Sequence, residues 1–354
     1  MKELTIIMTG AGAPGARGTE YALRAGAGFH GVKLRIVGID RNPSVAAKGF
    51  CDVVRAVPSP SSPEYGDAVA SIVREEGVRV IVPQTTMEIE WLSANPAPGG
   101  VPVMVNNRAA IDLANSKTET ARIFQELGLG VPRWFSTRTE DAFLRACTEL
   151  GYPYEPVVVK IPVSNGMRGL RILKATAWDF ARFAGEKPSG TDCTLEDMLS
   201  IIRTAPSWPE LMVCEYLEGD EYSVDCYRGR SGEIAMPRKR DVIRTGISFV
   251  TTLERREDMI RASMLAAERM GLCGVYGFQF KMRHGAPKVL ECNPRVQGTM
   301  IATLAGGNNI IWAAVADLLP DELPPVELNA NWNPGRCYRY WGAVLEHGQS
   351  HTIV

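Results

Sequence analysis

Short apolar runs alternate with stretches of helical period over the first hundred residues. "LTIIMTG", "KLRIVGID" and "VRVIVPQ" read as strands, with "ARGTEYALRAG" and "YGDAVASIVREEG" as helices between them. Strand, helix, strand, helix, strand at this pitch predicts a parallel sheet with crossover helices. Pro96, Pro98 and Pro102, interleaved with Gly99 and Gly100, punctuate its far end before a short strand "VPVMVN", so a first domain closes near Ile111. "NSKTETARIFQELGLGVP" follows as a helix, with Asn115 or Ser116 as cap, Ala121, Phe124 and Leu127 on one face and Gly128 as stop. "PVVVKIPVSNGMRGLRIL" is a hairpin-like pair of strands, and residues 175–209 read as helices joined by exposed loops. "LMVCEYLEGDEYSVDCYRG", "GEIAMPRKRDVI", "GVYGFQFKM" and "PKVLECNP" return to strands; "DMIRASMLAAERMG" is a helix and "GTMIATLAGG" starts another.

Composition narrows the picture. At 354 residues, two or three domains are expected. Lysine and arginine (39) nearly balance aspartate and glutamate (40), so no chain-wide field attracts a polyanion and nucleic acid is not an expected partner. No apolar run approaches the ~20 residues that cross a bilayer, and "MKELTIIMTG" is too short an apolar stretch for a secretory signal, so a cytoplasmic protein without membrane contact is expected. The eight cysteines are scattered without a C-x-x-C pair and read as small buried apolar residues. His347 and His351 have a metal-ligand spacing only if "EHGQSH" is helical; a polar chain end is the expectation.

Gly10, Gly12 and Gly15 fall at G-x-G-x-x-G, and Asp40 ends the second strand where a dinucleotide site would place an acid. A tight strand-to-helix turn needs the same glycines, so these residues leave both readings open.

The second half carries more parts. In "KVLECNPRVQG", Glu291 and Asn293 share a strand face by period two, and can offer oxygens to a hard cation such as Mg²⁺; Arg295 lies on the same side, where a guanidinium neutralises a phosphoryl group. Gln279 faces opposite to Phe278 and Phe280 and needs a polar partner, which makes it a candidate on the metal side. Lys160 ends an apolar strand, where a buried ammonium calls for an anion, and the loop carrying Gly166 and Gly169 can lay N–H groups over phosphates. Glu215, Glu221 and Asp225 surround the turn at Gly219; Glu215 is a candidate beside an adenine and Glu221 for ribose hydroxyls, while Asp225 reads as a solvated hairpin end. In "MPRKRDVIRTG", Arg238 and Arg240 share a strand face and are candidates for a substrate carboxylate or acyl phosphate, with Arg244 as a catalytic candidate before the next turn. Glu88 in "TTMEIEWL" is a candidate for a substrate ammonium.

In chain order these pieces resemble the ATP-grasp superfamily, specifically one half of the carbamoyl phosphate synthetase large chain. "IIMTGAGAPGARG" and "VIVPQTTMEIEWLS" resemble its pre-ATP-grasp domain, "NSKTETARIFQELGLGVP" its first nucleotide-lobe helix, and "VVVKIPVSNGMRGLRI" its lysine and glycine-rich lid. "VCEYLEGDE" resembles its adenine hinge and ribose carboxylate, "GFQFKM" and "LECNPRVQGT" its two metal strands. The implied architecture is α/β, with α+β nucleotide lobes: a Rossmann-like pre-ATP-grasp domain at 1–112, a small lobe with lid at 113–211 and a large lobe with the metal site at 212–354.

The resemblance implies ATP with Mg²⁺ or Mn²⁺, adenine against Glu215, Tyr216 and Leu217, ribose on Glu221, and phosphates on Lys117, Lys160 and the loop of Gly166 and Gly169. It places metal on Glu291, Gln279 and Asn293, and the γ-phosphoryl group on Arg295. The glycine turn then shapes the acceptor cleft rather than holding a nicotinamide. Three departures stand out: the glycine loop is sparser than in many relatives, residues 175–209 are longer than usual, and the first metal position is a neutral Gln. The implied activity is a carboxylate–amine ligase acting through an acyl phosphate on a small-molecule carboxylate and amine, and a homodimer is compatible with it. An NAD(P)-dependent oxidoreductase and a non-catalytic ATP sensor are the alternatives.

Overall fold

The computed structural model describes residues 2–354 apart from Asn165, Pro188, Ser189, Thr245, Trp341 and Gln349, and leaves the side chains of His347 and Ser350 outside the description. Contacts divide the chain into two compact units. One is made of Met1–Ala114, Glu221–Gln279 and Cys292–Val354, the other of Asn115–Asp220 and Phe280–Glu291.

The first unit begins with β1 (Lys2–Met8), α1 (Ala16–Phe29), β2 (Val32–Asp40), β3 (Val53–Ala56), α2 (Tyr65–Glu76), β4 (Val80–Val82), α3 (Thr86–Ala94) and α4 (Arg108–Asn115). Among the described residues the first four strands form a parallel sheet in the order β3-β2-β1-β4. Ile6 and Met8 enter one hydrophobic cluster and Ile7 another, so β1 is buried on both faces, which is why it reads as a continuous apolar run. β3 escapes the hydrophobic pattern because it is short and partly exposed, with Arg55 inside it. The expected strand at "VPVMVN" is reduced to a single bridge from Val103 to Ile81, since Pro102 has no N–H to extend the ladder. The chain steps to β2 and β3 on one side of β1 and then to β4 on the other, so residues 9–15 and 84–88 lie where the strand order reverses.

The second unit contains α5 (Lys117–Glu126), β5 (Trp134–Thr137), α6 (Glu140–Glu149), β6 (Val157–Lys160), β7 (Leu170–Leu173), α7 (Phe180–Gly185), β8 (Asp192–Cys193), α8 (Leu195–Ile202) and β9 (Leu211–Glu215). Among the described residues its sheet runs β5-β9-β6-β7-β8, with β6 and β7 antiparallel as the hairpin pattern predicts. Phe143 and Cys147 of α6 and Met198 and Ile202 of α8 pack with Val157, Val159, Leu173 and Val213 of the sheet. Ser116 caps α5 by accepting the Glu119 N–H.

The remaining elements are β10 (Glu221–Gly229), β11 (Gly232–Arg244), β12 (Ile247–Leu253), α9 (Glu257–Met270), β13 (Gly274–Arg283), β14 (Ala286–Asn293), α10 (Ile310–Leu318), β15 (Arg336–Tyr338), β16 (Val344–His347) and β17 (Ser350–Ile353). Their sheet order is β14-β13-β10-β11-β12-β15, and β16 pairs with β17. "GTMIATLAGG" forms a 3₁₀ segment, Met300–Gly306, rather than an α-helix. The last strands pair Glu346 with His351 across a hairpin, so the spacing of His347 and His351 is not helical; the His347 side chain lies outside the described residues.

Within the first unit α10 packs against α1 through Trp312, which is fully buried. A Cβ on Gly26 of α1 would sit 2.2 Å from Trp312 Cγ. Alanine gains ~1 kcal/mol of helix propensity over glycine, whereas overpacking a core costs ~1–3 kcal/mol or more, so the clash outweighs the gain. Gly26→Ala is therefore expected to lower the unfolding midpoint in urea, and an unchanged or raised midpoint would show that the two helices move apart at little cost.

Candidate functional site

In the second unit, Lys117 opens α5 and Lys160 closes β6, and each is only 7% exposed. The two are drawn in by backbone pairing: the Lys117 N–H donates to Pro162 O at 2.9 Å, and Ser116 bridges Val163. Lys117 Nζ donates to Ser164 O at 2.5 Å and to Ser164 Oγ at 3.3 Å, and stands 3.6 Å from Glu291 Oε2. Burial holds the Lys117 ammonium below the ordinary amine range; Glu291 opposes that shift and the charge of Lys160 adds to it. The loop between β6 and β7 has left-handed backbone at Gly166, Met167 and Gly169, a conformation that glycine takes without strain. Asn165 of the same loop lies outside the described residues.

The Glu215 carboxylate accepts the Arg133 N–H at 2.9 Å and is paired with Arg283, which also reaches Tyr216 O at 3.3 Å. The Tyr216 ring lies under the Lys281 ammonium at 5.4 Å, and Leu217 is buried. Arg283, the last residue of the strand Gly274–Arg283, was not among the residues expected at this site from the sequence.

In the first unit, β10 and β11 pair Tyr222 with Lys239 and Ser223 with Arg238. This register brings Arg240 to Glu221, with which it forms an ion pair, and to Gln279 Oε1 at 3.4 Å. Arg240 also donates to Ser248 Oγ at 2.8 Å and Gly246 O at 2.6 Å. Two residues expected on ribose and metal, Glu221 and Gln279, are thus joined through one expected on the acceptor. Arg238, on the same strand face, meets an internal carboxylate: its Nε donates to Asp225 Oδ2 at 2.6 Å, with Arg238 2% and Asp225 0% exposed. Asp225 is therefore no solvated hairpin end, because its strand is covered on that face. Arg244 ends β11 with its guanidinium 5.1 Å from the centre of the Phe249 ring.

Along β14 and just beyond it, Glu291, Asn293 and Arg295 are partly exposed while Cys292, Pro294 and Val296 are buried, the alternation that period two predicts. Arg295 Nη2 donates to Asn293 Oδ1 at 3.3 Å. Among the described residues no three His, Cys, Asp or Glu side chains assemble into a metal cage. By side-chain type alone, the residues expected to hold a metal, Glu291, Gln279 and Asn293, are an oxygen-only donor set. It suits Mg²⁺, which keeps waters and phosphates as its other ligands, and not zinc.

The glycine turn is held from inside the first unit. Asp40 accepts the Gly12 N–H at 2.9 Å on Oδ2 and the Asn42 N–H at 2.9 Å on Oδ1. Arg339 donates to Pro14 O, and to Gly298 O at 3.1 Å, so it ties the turn to the loop that follows Arg295. Gly15 and Gly298 are close enough that a Cβ on the former would lie 2.9 Å from the Cα of the latter.

Glu88 sits in the first turn of α3, where it forms a capping box with Thr85 and is 6% exposed. Burial raises its carboxyl above the ordinary 4.5; hydrogen bonds from Thr85 oppose the rise and the charge of Asp40 adds to it. The folded chain then holds this proton more tightly than the unfolded one, so Glu88 takes away stability as pH rises from about 4.5 upward. Glu88→Gln is expected to raise the unfolding free energy relative to the parent at about pH 7 and to lose that advantage near pH 4. Urea unfolding at both values checks this, and an equal difference at the two would contradict it.

A family profile described as "ATP-grasp in the biosynthetic pathway with Ter operon" matches residues 207–335. The carbamoyl phosphate synthase large chain of Thermomicrobium roseum is 24% identical over 297 residues, covering 79% of this chain and 25% of its own length. That of Micrococcus luteus is 27% identical over 216 residues, covering 59% and 18%. The chain thus spans a quarter or less of the length of these curated relatives.

Among solved structures, biotin carboxylase from Campylobacter jejuni, in a complex with a β,γ-ATP ligand, aligns with TM-score 0.67 and 18% identity over 90% of this chain and 72% of its own. N5-carboxyaminoimidazole ribonucleotide synthetase in its ADP complex aligns with TM-score 0.66 and 15% identity over 93% and 79%. The biotin carboxylase domain of Hydrogenobacter thermophilus 2-oxoglutarate carboxylase, a dimer with MgADP, ADP and bicarbonate, aligns with TM-score 0.66 and 15% identity over 91% and 71%. Among the described residues no helix is long and apolar enough to cross a membrane. Residues 207–335 thus match an ATP-grasp family profile, carbamoyl phosphate synthase large chains are among the relatives of the chain, and its fold is that of these solved structures.

Proposed function

We propose that this protein transfers the γ-phosphoryl group of ATP to the carboxylate of a small molecule and passes the acyl phosphate to an amine, forming an amide or peptide bond. The observation that carries this reading is the buried charge around Lys117. Lys117 and Lys160 are each 7% exposed, the charge of Lys160 bears on Lys117, and Glu291 is the carboxylate that acts on Lys117. Buried ammoniums are costly unless anions meet them, and a polyphosphate supplies the missing negative charge.

In this reading Lys117, Lys160 and the backbone around Gly166 and Gly169 hold the phosphates, the hinge from Glu215 to Leu217 borders the adenine, and Glu221 accepts the ribose hydroxyls. Arg295 neutralises the γ-phosphoryl group as charge develops on it. Glu291, Asn293 and Gln279 would hold Mg²⁺, which when bound screens phosphate charge and aligns the triphosphate. A carboxylate oxygen of the acceptor attacks the γ-phosphorus as the bond to the β-phosphate oxygen breaks, and ADP leaves. The amine nitrogen then attacks the acyl carbon, phosphate leaves and a proton is lost from nitrogen. Because phosphoryl transfer needs little covalent help, the chain's work is positioning and charge neutralisation. Arg244 and Arg240 are assigned to the acid, and Glu88 to the ammonium of the acceptor. Arg238, committed to Asp225, holds the strand that presents Arg240.

The test is a screen for ADP release over amino acids and small carboxylates, singly and in pairs, with Mg²⁺. A stimulating pair with stoichiometric ADP, phosphate and amide supports the reading. ATP binding without release for any pair would favour a nucleotide sensor, and an NAD(P)H absorbance change with a candidate substrate would favour the oxidoreductase.

A further inference from the structure

An ammonium has three N–H donors. Those of Lys117 face Ser164 O at 2.5 Å, Ser164 Oγ at 3.3 Å and the Glu291 carboxylate at 3.6 Å, so a phosphate oxygen can be accommodated only by displacing one of the three. Ser164 O is fixed in the backbone beside the Lys117–Pro162 hydrogen bond. Glu291 makes the longest of the contacts and its side chain is 28% exposed, so it is the partner that can turn away.

We propose that Lys117 is exchanged between two anions: Glu291 holds its ammonium in the nucleotide-free protein, and a divalent cation that takes Glu291 releases the ammonium to the phosphates of ATP. Metal and nucleotide then bind with positive coupling through this single swap, and by linkage each strengthens the other by the same factor. Without metal, Glu291 both occupies the lysine and repels the triphosphate. The inference rests on the assignment of Glu291 to the metal and Lys117 to ATP made above.

Calorimetric titration of the full chain with ATP, in EDTA and in Mg²⁺, tests it as a double-mutant cycle. Glu291→Gln is expected to bind ATP in EDTA about 5-fold or more tightly than the parent, because the lysine is no longer occupied. In a Lys117→Gln background the same change is expected to alter metal-free affinity by less than about 2-fold. Simple relief of repulsion would give the gain in both backgrounds, so an equal gain in the two, or no gain in the first, overturns the exchange. A parent protein that binds ATP equally well in EDTA and Mg²⁺ would instead remove the metal assignment, and one that binds no ATP would remove the nucleotide assignment; either takes the exchange with it. Lys117→Met, which keeps the apolar stem, replaces the glutamine variant in the cycle should that one fail to fold.

Discussion

Alanine at position 291 is expected to lower acceptor-stimulated ADP release by about 10³-fold or more, with a far smaller effect on the unfolding midpoint. Charge stabilisation by a bound metal is worth several kcal/mol in such transition states, and each 1.36 kcal/mol is tenfold in rate. Glu291 is the one carboxylate in the proposed donor set, so Asn293 and Gln279 cannot replace its charge. The cost to folding is limited because the side chain is partly exposed and Lys117 keeps Ser164 as partner. Metal-free ATP binding is expected to survive. Stimulated turnover within about tenfold of the parent would contradict the assignment.

Arg238→Met is expected to destabilise the protein by about 3–5 kcal/mol, a large share of the ~5–15 kcal/mol that holds a typical domain. The substitution strands Asp225, which is fully buried and whose partner guanidinium also reaches Ser248 Oγ at 3.3 Å. Breaking such a pair on one side leaves an uncompensated charge in low dielectric. Replacing both members, Arg238→Met with Asp225→Leu, is expected to recover most of the loss. Urea unfolding measures both. A single-variant loss under about 1 kcal/mol would show that water reaches Asp225.

Where the placement of a candidate side chain depended on a local period, the sequence was legible. The alternation of Glu291, Asn293 and Arg295 with buried neighbours follows from strand geometry alone, and so does the shared face of Arg238 and Arg240, both of which reach Ser248. The parallel sheet was legible because β1, β2 and β4 each carry an apolar run, whereas β3 was not, being short and carrying Arg55. Partners set by long-range register were beyond reach. A lysine at the first position of a helix gives no local sign of burial, and the Lys117 ammonium meets Ser164, 47 residues later in the chain. Arg283 meets Glu215 across 68 residues, and Arg240 meets Glu221 only through the register of β10 with β11. The same holds for the units: local patterns divide a chain into contiguous segments, while contacts gather three separate segments into one unit and two into the other.

The most direct test is a crystal structure with a non-hydrolysable ATP analogue and Mg²⁺. The account predicts β- and γ-phosphates within hydrogen-bond distance of Lys117 and Lys160, with the Glu291 carboxylate on a metal ion and away from Lys117. A nucleotide seated instead on the turn from Gly10 to Gly15, or Glu291 still paired with Lys117 beside a bound triphosphate, would contradict it.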